Sequence, residues 1–141
     1  MGIEVLKDTQ IEAALDENGR QYLAGDLKRT QTLAEIFDSA VEAGISKYAH
    51  YTADGAHYHA ICTEYQYVLE GKAKYLDVDS NEVVEVEAGD FYVIRPKTKY
   101  FQKSAAGTKI LFIKAPGGND KCTVSLTEEQ EHWGRSYESD V

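Results

Sequence analysis

From Ile45 onward, the apolar residues of the chain come in short runs that turn-forming residues interrupt at regular intervals. Gly, Asn, Asp and Ser suit tight turns, and they separate most of the runs, at 54–55, 70–71, 79–81, 88–90 and 106–107. Many short strands at this spacing predict an all-β sandwich or barrel. The predicted strands cover residues 46–52, 56–61, 64–69, 73–78, 82–86, 90–94, 100–103 and 109–115.

These runs divide the chain of 141 residues into three parts, although its length suits one domain with one core. Residues 45–115 form the barrel core, and residues 1–44 form a segment that packs on the barrel or swaps with it. Within that segment, Thr32 to Glu35 matches a capping box, and apolar residues continue at helical spacing as far as Val41. The alternative is an extended strand that precedes the barrel, so we expect a mixed segment.

The last part, residues 116–141, combines a loop, a short helix and a tail. Residues 115–121 are rich in Gly and predict a flexible loop. A helix is predicted from Leu126 to Trp133, with Ser125 or Thr127 as its cap and acidic residues in its first turn. Gly134 would end the helix, and we expect the residues after Tyr137 to be disordered.

The charge and hydropathy of the chain exclude several classes of function. A formal net charge of −9 argues against a nucleic-acid partner, because phosphate backbones are bound mainly through Lys and Arg. No apolar run approaches the roughly 20 residues that a membrane-spanning helix needs. The N-terminal sequence lacks the features of a signal peptide, so we expect a cytoplasmic protein without a membrane partner.

A candidate metal site lies in the middle of the chain. His57 and His59 point to the same face of a strand because side chains alternate, and Tyr58 points to the other face. Glu64 opens the next predicted strand, and a short turn would bring its carboxylate beside the two imidazoles. Two His and one carboxylate are the ligand set of mononuclear iron oxygenases and of many zinc sites. Cys62 lies out of phase with both histidines, which favours a small buried side chain over a ligand.

This pattern, HxH(x)4E(x)6G, resembles the first motif of the cupin superfamily, which consists of small jelly-roll β-barrels. The matching residues are His57, His59, Glu64 and Gly71, and Tyr51 stands where the family often has Gly. The resemblance implies an all-β, cupin-type jelly-roll barrel, here with a short C-terminal helix outside it. It also implies a divalent transition metal, with iron, zinc, nickel and manganese all compatible with the ligands.

The second cupin motif, G(x)5PxG(x)2H(x)3N, is degenerate in this chain. Its first Gly is present as Gly89, and the other motif positions are changed: they hold Arg95, Lys97, Tyr100 and Ser104. The family pattern has its fourth metal-binding His at the position of Tyr100. Tyr100 could therefore act as a fourth, anionic ligand, as a hydrogen-bond donor, or as a catalytic acid or base. We favour the donor role, because a neutral phenol is a poor ligand for most divalent metals.

The pocket that this resemblance implies is polar and aromatic. We expect Tyr100, Gln102 and Gln66 to line it, and such walls suit a small polar molecule, a sugar or a small carboxylate. Three functions remain open. They are a metal-dependent oxygenase, isomerase or lyase, a metal-free ligand-binding cupin, and a structural or regulatory dimerisation module. We expect a homodimer that pairs through sheet edges and N-terminal segments, as small cupins do.

Overall fold

The computed structural model of the protein describes residues 2–141 and contains two sheets and two helices. The helices are α1 (Asp8–Asn18) and α2 (Glu128–Trp133). The strands are β1 (Arg20–Gly25), β2 (Ile36–Phe37), β3 (Glu42–Tyr48), β4 (Thr52–Ala53), β5 (His57–His59), β6 (Thr63–Glu70), β7 (Lys72–Asp77), β8 (Val83–Glu87), β9 (Phe91–Ile94), β10 (Tyr100–Ser104), β11 (Thr108–Ala115) and β12 (Lys121–Thr123).

The two sheets face each other and form a jelly-roll barrel. One sheet has the strand order β2-β1-β3-β11-β6-β9, and the other has the order β12-β5-β10-β7-β8, with β4 paired to β10. Apart from the parallel β1–β2 pair, the strand pairs are antiparallel. The prediction of an all-β, cupin-type barrel is confirmed, and each predicted strand overlaps an observed one.

Along each strand, alternate residues face inward, and these residues form the core between the sheets. In β7, for example, Ala73 and Tyr75 are buried and Lys72 is exposed, as the two-residue period of a strand requires. The main cluster contains three tyrosines beside aliphatic residues: Tyr48, Val68, Ala73, Tyr75, Val86, Tyr100 and Ile110. A wall with this many hydroxyl groups gives the interior of the barrel a polar lining.

Residues 32–41 do not form the helix that their apolar spacing offered as one alternative. Ile36 and Phe37 instead form β2, which pairs with β1. The Asp38 carboxylate accepts hydrogen bonds from the backbone N–H groups of Ala40 and Val41, at 2.8 and 3.1 Å. Such a local turn competes with helical hydrogen bonding, which explains why the apolar spacing did not produce a helix.

The helix of the N-terminal segment lies earlier, as α1, where it buries Ala14 and Leu15. Gly19 ends α1 with a left-handed conformation, at φ 74°, and β1 follows directly. Because β1 pairs antiparallel with β3, the segment contributes a full strand to the same sheet as β11 and β6.

The C-terminal helix is confirmed, with Thr127 as its N-cap and Gly134 at its end. The expected disorder after Tyr137 is not observed. The ammonium group of Lys103 donates hydrogen bonds to the carbonyl groups of Ser136 and Ser139, at 3.0 and 2.9 Å. A buried cation of β10, which the sequence pattern did not identify, therefore holds the tail against the barrel.

Candidate functional site

A cavity of about 110 Å³ lies inside the barrel, and both sheets contribute to its walls. The six residues that the sequence predicts for the site all line it: His57, His59, Glu64, Gln66, Tyr100 and Gln102. All six are buried, with exposed fractions between 4% and 8%. The structure thus brings the residues of both motifs together at one place, while their chemical roles remain predictions.

The histidines reach the cavity from β5, in which His57 and His59 are buried and Tyr58 is half-buried on the other face. The pairing of β5 with β10 sets Tyr100 opposite His57, and their ring centroids are 4.5 Å apart. Glu64 comes from β6 in the facing sheet. Its Oε1 atom lies 3.9 Å from Nε2 of His59, so the carboxylate and the imidazole meet across the barrel.

Each imidazole is held in one orientation through its Nδ1 atom. His57 Nδ1 lies 2.8 Å from the carbonyl oxygen of Gly55, which can only accept, so Nδ1 carries the proton. His59 Nδ1 lies 2.8 Å from Oδ1 of Asp120 and donates to it in the same way. Burial lowers the pKa of His57 to about 4, although the Gly55 carbonyl opposes this shift. Nε2 of His57 is therefore an unprotonated nitrogen at neutral pH.

Asp120 is the positioning group of His59, and it comes from the loop that the sequence predicts to be flexible. Its Oδ2 atom accepts the backbone N–H groups of Ile61 and Cys62, each at 2.8 Å. Although burial opposes the shift, these two hydrogen bonds and the one from His59 lower the pKa of Asp120 to about 2. Asp120 is thus an ionised acceptor, and it fixes the loop before β12 against the end of β5.

The donor types of His57, His59 and Glu64 suit a divalent metal, and their ligand atoms do not all lie within 4.8 Å of one another in this structure. Metal-bound histidines usually donate their second ring nitrogen to a carbonyl or a carboxylate, as His57 and His59 do here. Two ligands bound at about 2.0–2.2 Å lie roughly 3 to 4 Å apart, which agrees with the distance between His59 and Glu64. These residues could supply two nitrogen ligands and one carboxylate.

A second group of potential ligands overlaps this set. Within residues 2–141, only the ligand atoms of His59, Cys62 and Asp120 form a His/Cys/Asp/Glu group in which all atoms lie within 4.8 Å of one another. Their closeness follows from the hydrogen bonds of Asp120. Burial, reinforced by Asp120 and Glu64, raises the pKa of the Cys62 thiol to about 12. Metals bind the thiolate, so a neutral thiol favours a packing role for Cys62 over a role as a ligand.

Tyr100 occupies the position of the fourth metal-binding His, and its side chain faces the cavity. It is only 4% exposed. Burial, reinforced by the Glu64 carboxylate, raises its pKa well above the ordinary value, so the phenol is neutral. Within residues 2–141 its hydroxyl group makes no hydrogen bond. It is therefore available to donate one to a molecule in the cavity.

The two glutamines of the pocket differ in which of their hydrogen-bonding atoms remain available to a ligand. Gln66 donates from Nε2 to Glu64, and its Oε1 accepts from the hydroxyl groups of Tyr75 and Tyr92, at 2.7 and 2.6 Å. Its amide is therefore occupied and positions the Glu64 carboxylate. Gln102 donates from Nε2 to Ser104 and Tyr48, and its Oε1 accepts no hydrogen bond from the described part of the chain. Gln102 thus offers an acceptor to the cavity.

The degenerate second motif keeps its backbone geometry. Lys97 stands where the family has Gly, and it adopts a left-handed conformation, at φ 68°. Its backbone N–H donates to the carbonyl oxygen of His59, at 2.7 Å. The turn before β10 thus keeps the conformation that a glycine would adopt and closes against β5. Because Lys97 has a side chain, this conformation strains its backbone.

Several charged residues of the cavity were not identified from the sequence. Arg20 comes from β1, Lys114 from β11 and Lys121 from β12, and Asp54 lies in the loop before β5. The alternation of Arg20 and Tyr22 in a strand was the available signal, but the N-terminal segment carried no clear strand pattern. The cations lie toward a second and wider cavity, which shares Arg20, Lys114 and Lys121 as its inner wall.

Comparisons with known proteins agree with this architecture. The sequence model of the family described as "Cupin domain" matches residues 45–109. Residues 45–109 thus match a cupin domain in sequence as well as in fold. No curated protein sequence matches the chain. Within residues 2–141, none of the helices has the length and apolar character needed to span a bilayer.

Solved structures of cupin type share this fold at low sequence identity. One is a double-stranded β-helix protein of Klebsiella pneumoniae, with 16% identity over 62% of this chain and 77% of that chain, and a TM-score of 0.54. Another is Pac13 of Streptomyces, described as a unique nucleoside dehydratase, with 16% identity over 80% and 84% and a TM-score of 0.56. The polyketide cyclase RemF of Streptomyces resistomycificus has 17% identity over 70% of each chain and a TM-score of 0.55. At these identities the likeness extends to the cupin fold alone.

Proposed function

We propose that this cupin binds one divalent transition metal through His57, His59 and Glu64, and a small polar molecule beside it. The observation that carries the proposal is the anchoring of both imidazoles. Each Nδ1–H has its own acceptor, Gly55 or Asp120, which leaves Nε2 for the cavity. Glu64 reaches the same space from the opposite sheet. Metal-bound histidines usually have such an acceptor for the second ring nitrogen.

The chain's own residues divide the work in the cavity. A metal, when bound, would supply a Lewis acid to an oxygen of the ligand. Tyr100 donates a hydrogen bond to that ligand, because its phenol is neutral and has no partner among residues 2–141. Gln102 accepts through Oε1, and Gln66 holds Glu64 in place. The ligand is a sugar or a small carboxylate, and isomerase, lyase or oxygenase chemistry is consistent with these groups.

A metal-free ligand-binding cupin is the second candidate function. The observation that favours it is Tyr100, a neutral phenol at the position of the fourth ligand. Pac13 and RemF show that cupin-type barrels of this size host enzymes, a dehydratase and a cyclase, and their activities are properties of those proteins. Transfer of either activity to this chain rests on the fold alone.

The metal content of the purified protein distinguishes the two candidates. We expect about one equivalent of iron, zinc, nickel or manganese in wild type purified without chelator, and none in the variant that combines His57→Ala and His59→Ala. Circular dichroism should show that the variant keeps its β structure. Cys62→Ser is the matched control and should keep the metal. If wild type takes up none of these metals when each is offered, the metal-free function replaces ours.

Tyr100→Phe tests the role of the phenol. We expect the metal content to stay unchanged and the affinity for a cavity ligand to fall by about 1 kcal/mol or more, the usual cost of an unmade buried hydrogen bond. If the phenol were a direct ligand of iron(III), wild type would show a visible charge-transfer band that the variant lacks. That band would contradict the donor role.

We also propose that the cupin forms a homodimer, through a sheet face and not through the sheet edges first expected. The N-terminal segment covers one edge of its own sheet, since β2 and β1 lie outside β3. The outer face of β6, β9 and β11 carries an apolar patch, and its register brings together Tyr65, Tyr67, Phe91, Val93, Leu111 and Ile113. Phe91 is 66% exposed. Contiguous apolar patches of this kind mark interaction surfaces.

Light scattering tests the dimer. The chain has a mass of 15.7 kDa, so a dimer has about twice that value. Phe91→Lys should yield the monomer, because it places a charge in the patch that the dimer would bury. Val84→Lys is the control, since Val84 is also exposed but lies on β8 of the other sheet. A wild type that is monomeric at micromolar concentration would refute the proposal.

A further inference from the structure

A wider outer cavity of about 470 Å³ adjoins the barrel cavity. The two share Arg20, Tyr22, His59, Lys114 and Lys121 as a common wall. The far side of the outer cavity is formed by the loop between β1 and β2, which contributes Lys28 and Arg29. We call this outer cavity the vestibule. Since the inner cavity is small, a ligand that exceeds its volume would extend into the vestibule.

The vestibule concentrates positive charge in an acidic protein. The chain has 24 Asp and Glu against 15 Lys and Arg, for a net charge of −9. Five of those cations nevertheless line this one cavity: Arg20, Lys28, Arg29, Lys114 and Lys121. Like charges at such proximity repel one another, and a cleft with low-dielectric walls strengthens their field. The arrangement is therefore favourable only when anionic groups compensate it.

The protein itself compensates only two of these cations. Lys28 lies 3.2 Å from Asp26, and Lys114 lies 3.8 Å from Glu42. Arg20, Arg29 and Lys121 have no carboxylate within 4.0 Å among residues 2–141. Arg20 donates from Nε to the hydroxyl of Ser46, at 3.0 Å, and Asp54, which lies beyond 4.0 Å, offsets only part of its charge. Three cations around one cavity are thus free to bind an anion.

The inner cavity differs in charge, because its cations all lie in the wall that it shares with the vestibule and its two carboxylates do not line the vestibule. Asp54 and Glu64 are carboxylates of its wall, and Glu64 is 5% exposed. An anionic group placed beside them would meet repulsion in a poorly solvated space, whereas the same group in the vestibule meets Arg20, Arg29 and Lys121. The charge distribution therefore fixes the direction of entry, with the anionic end outward and an uncharged polar end inward, toward Tyr100.

We infer that the vestibule is an oxyanion-binding subsite and that the ligand of this cupin carries a phosphate or carboxylate group held by Arg20, Arg29 and Lys121. Arg suits either group, because its planar guanidinium matches their oxygens bidentately. The aromatic ring of Tyr22 also lines the vestibule. Its centroid lies 5.9 Å from the Arg29 guanidinium and 5.3 Å from the Lys114 ammonium. The inference rests on the proposed function and names the class of its ligand.

Calorimetry with inorganic phosphate and with malonate as probes tests the subsite, on the protein as purified. The test variant combines Arg29→Gln and Lys121→Gln, two exposed residues whose replacement should leave the fold intact. The control combines Lys7→Gln and Lys99→Gln, which changes the net charge equally outside the vestibule. We expect wild type and control to bind a probe alike, and the test variant to bind it at least tenfold more weakly. Tighter binding of phosphate or of malonate identifies the group, and either result supports the inference.

Metal content, measured on the same samples, separates this inference from the proposed function. Wild type that binds neither probe, or a test variant that binds as tightly as the control, overturns the subsite even where the metal is retained. Binding that disappears in the variant with His57→Ala and His59→Ala, but persists in the test variant, would locate the anion at the metal ligands and also overturn it. If wild type contains no metal and still binds a probe more tightly than the test variant does, the metal site is refuted and the anion subsite stands.

Discussion

Lys103 allows a test of how the barrel holds its C-terminal tail. Its side chain is fully buried, and the ammonium group donates to three carbonyl groups, those of Trp133, Ser136 and Ser139, at 2.7, 3.0 and 2.9 Å. It also lies 4.0 Å from the centroid of the Trp133 ring. Lys103→Met keeps the length of the side chain and removes both the charge and the donors.

The expected cost follows from these contacts. A hydrogen bond to a charged group contributes roughly 1.5–3 kcal/mol, so three of them are strongly favourable. The desolvation of the ammonium offsets part of that gain, and the methionine would not suffer it. We expect Lys103→Met to lower the free energy of unfolding by about 2–4 kcal/mol, because the three carbonyl groups lose their common donor.

Urea unfolding measures that free energy, and hydrogen exchange measures protection of the backbone from Ser136 to Ser139. Both should fall in Lys103→Met. Lys74→Met is the matched control, since Lys74 is the register partner of Lys103 and makes one such bond, to the carbonyl of Tyr137 at 3.1 Å. A variant within about 0.5 kcal/mol of wild type, with the protection of the tail unchanged, would refute this account of the fastening.

Three further predictions concern single groups. Burial, with a smaller contribution from Lys74, lowers the pKa of Lys103 from 10.5 to about 8, so the unfolded chain holds this proton to higher pH. The stability of wild type relative to Lys103→Met should rise by about 2 kcal/mol from pH 8 to pH 10 in urea titrations; a flat difference would contradict it. Lys97→Gly should stabilise the fold by about 0.5–1 kcal/mol by relieving the left-handed strain, whereas Lys97→Ala should not, and equal effects would exclude strain as the cause. Asp120→Asn should weaken metal binding about 10- to 100-fold in a chelator competition, because His59 loses its anionic partner, and an unchanged affinity would remove Asp120 from this role.

The sequence was sufficient for the barrel because the signals of its strands are local. Alternation of apolar residues and the turn residues between runs depend on neighbours in the chain, and they located β5 to β11 to within a few residues. Local signals were not sufficient for the N-terminal segment, because its backbone partners are distant in the chain. Residues 32–41 carry helical spacing, but their backbone groups bond to β1 and to the Asp38 side chain, and only the tertiary fold supplies β1 as a partner.

Some residues of the candidate site follow from a local sequence pattern, and others are brought there only by the fold. His57 and His59 share a face because a strand has a two-residue period, so the sequence alone predicts that pair. Asp120 is 61 residues away from His59, and Arg20 enters from a strand in the N-terminal segment. No local pattern links these residues to the histidines. The pairing of β12 with β5 and of β1 with β3 brings them there, because strand register converts distant positions of the chain into neighbours. The sequence alone therefore determined which residues face the cavity as potential ligands, and the tertiary structure decided which groups anchor the histidines and which charges line the entrance.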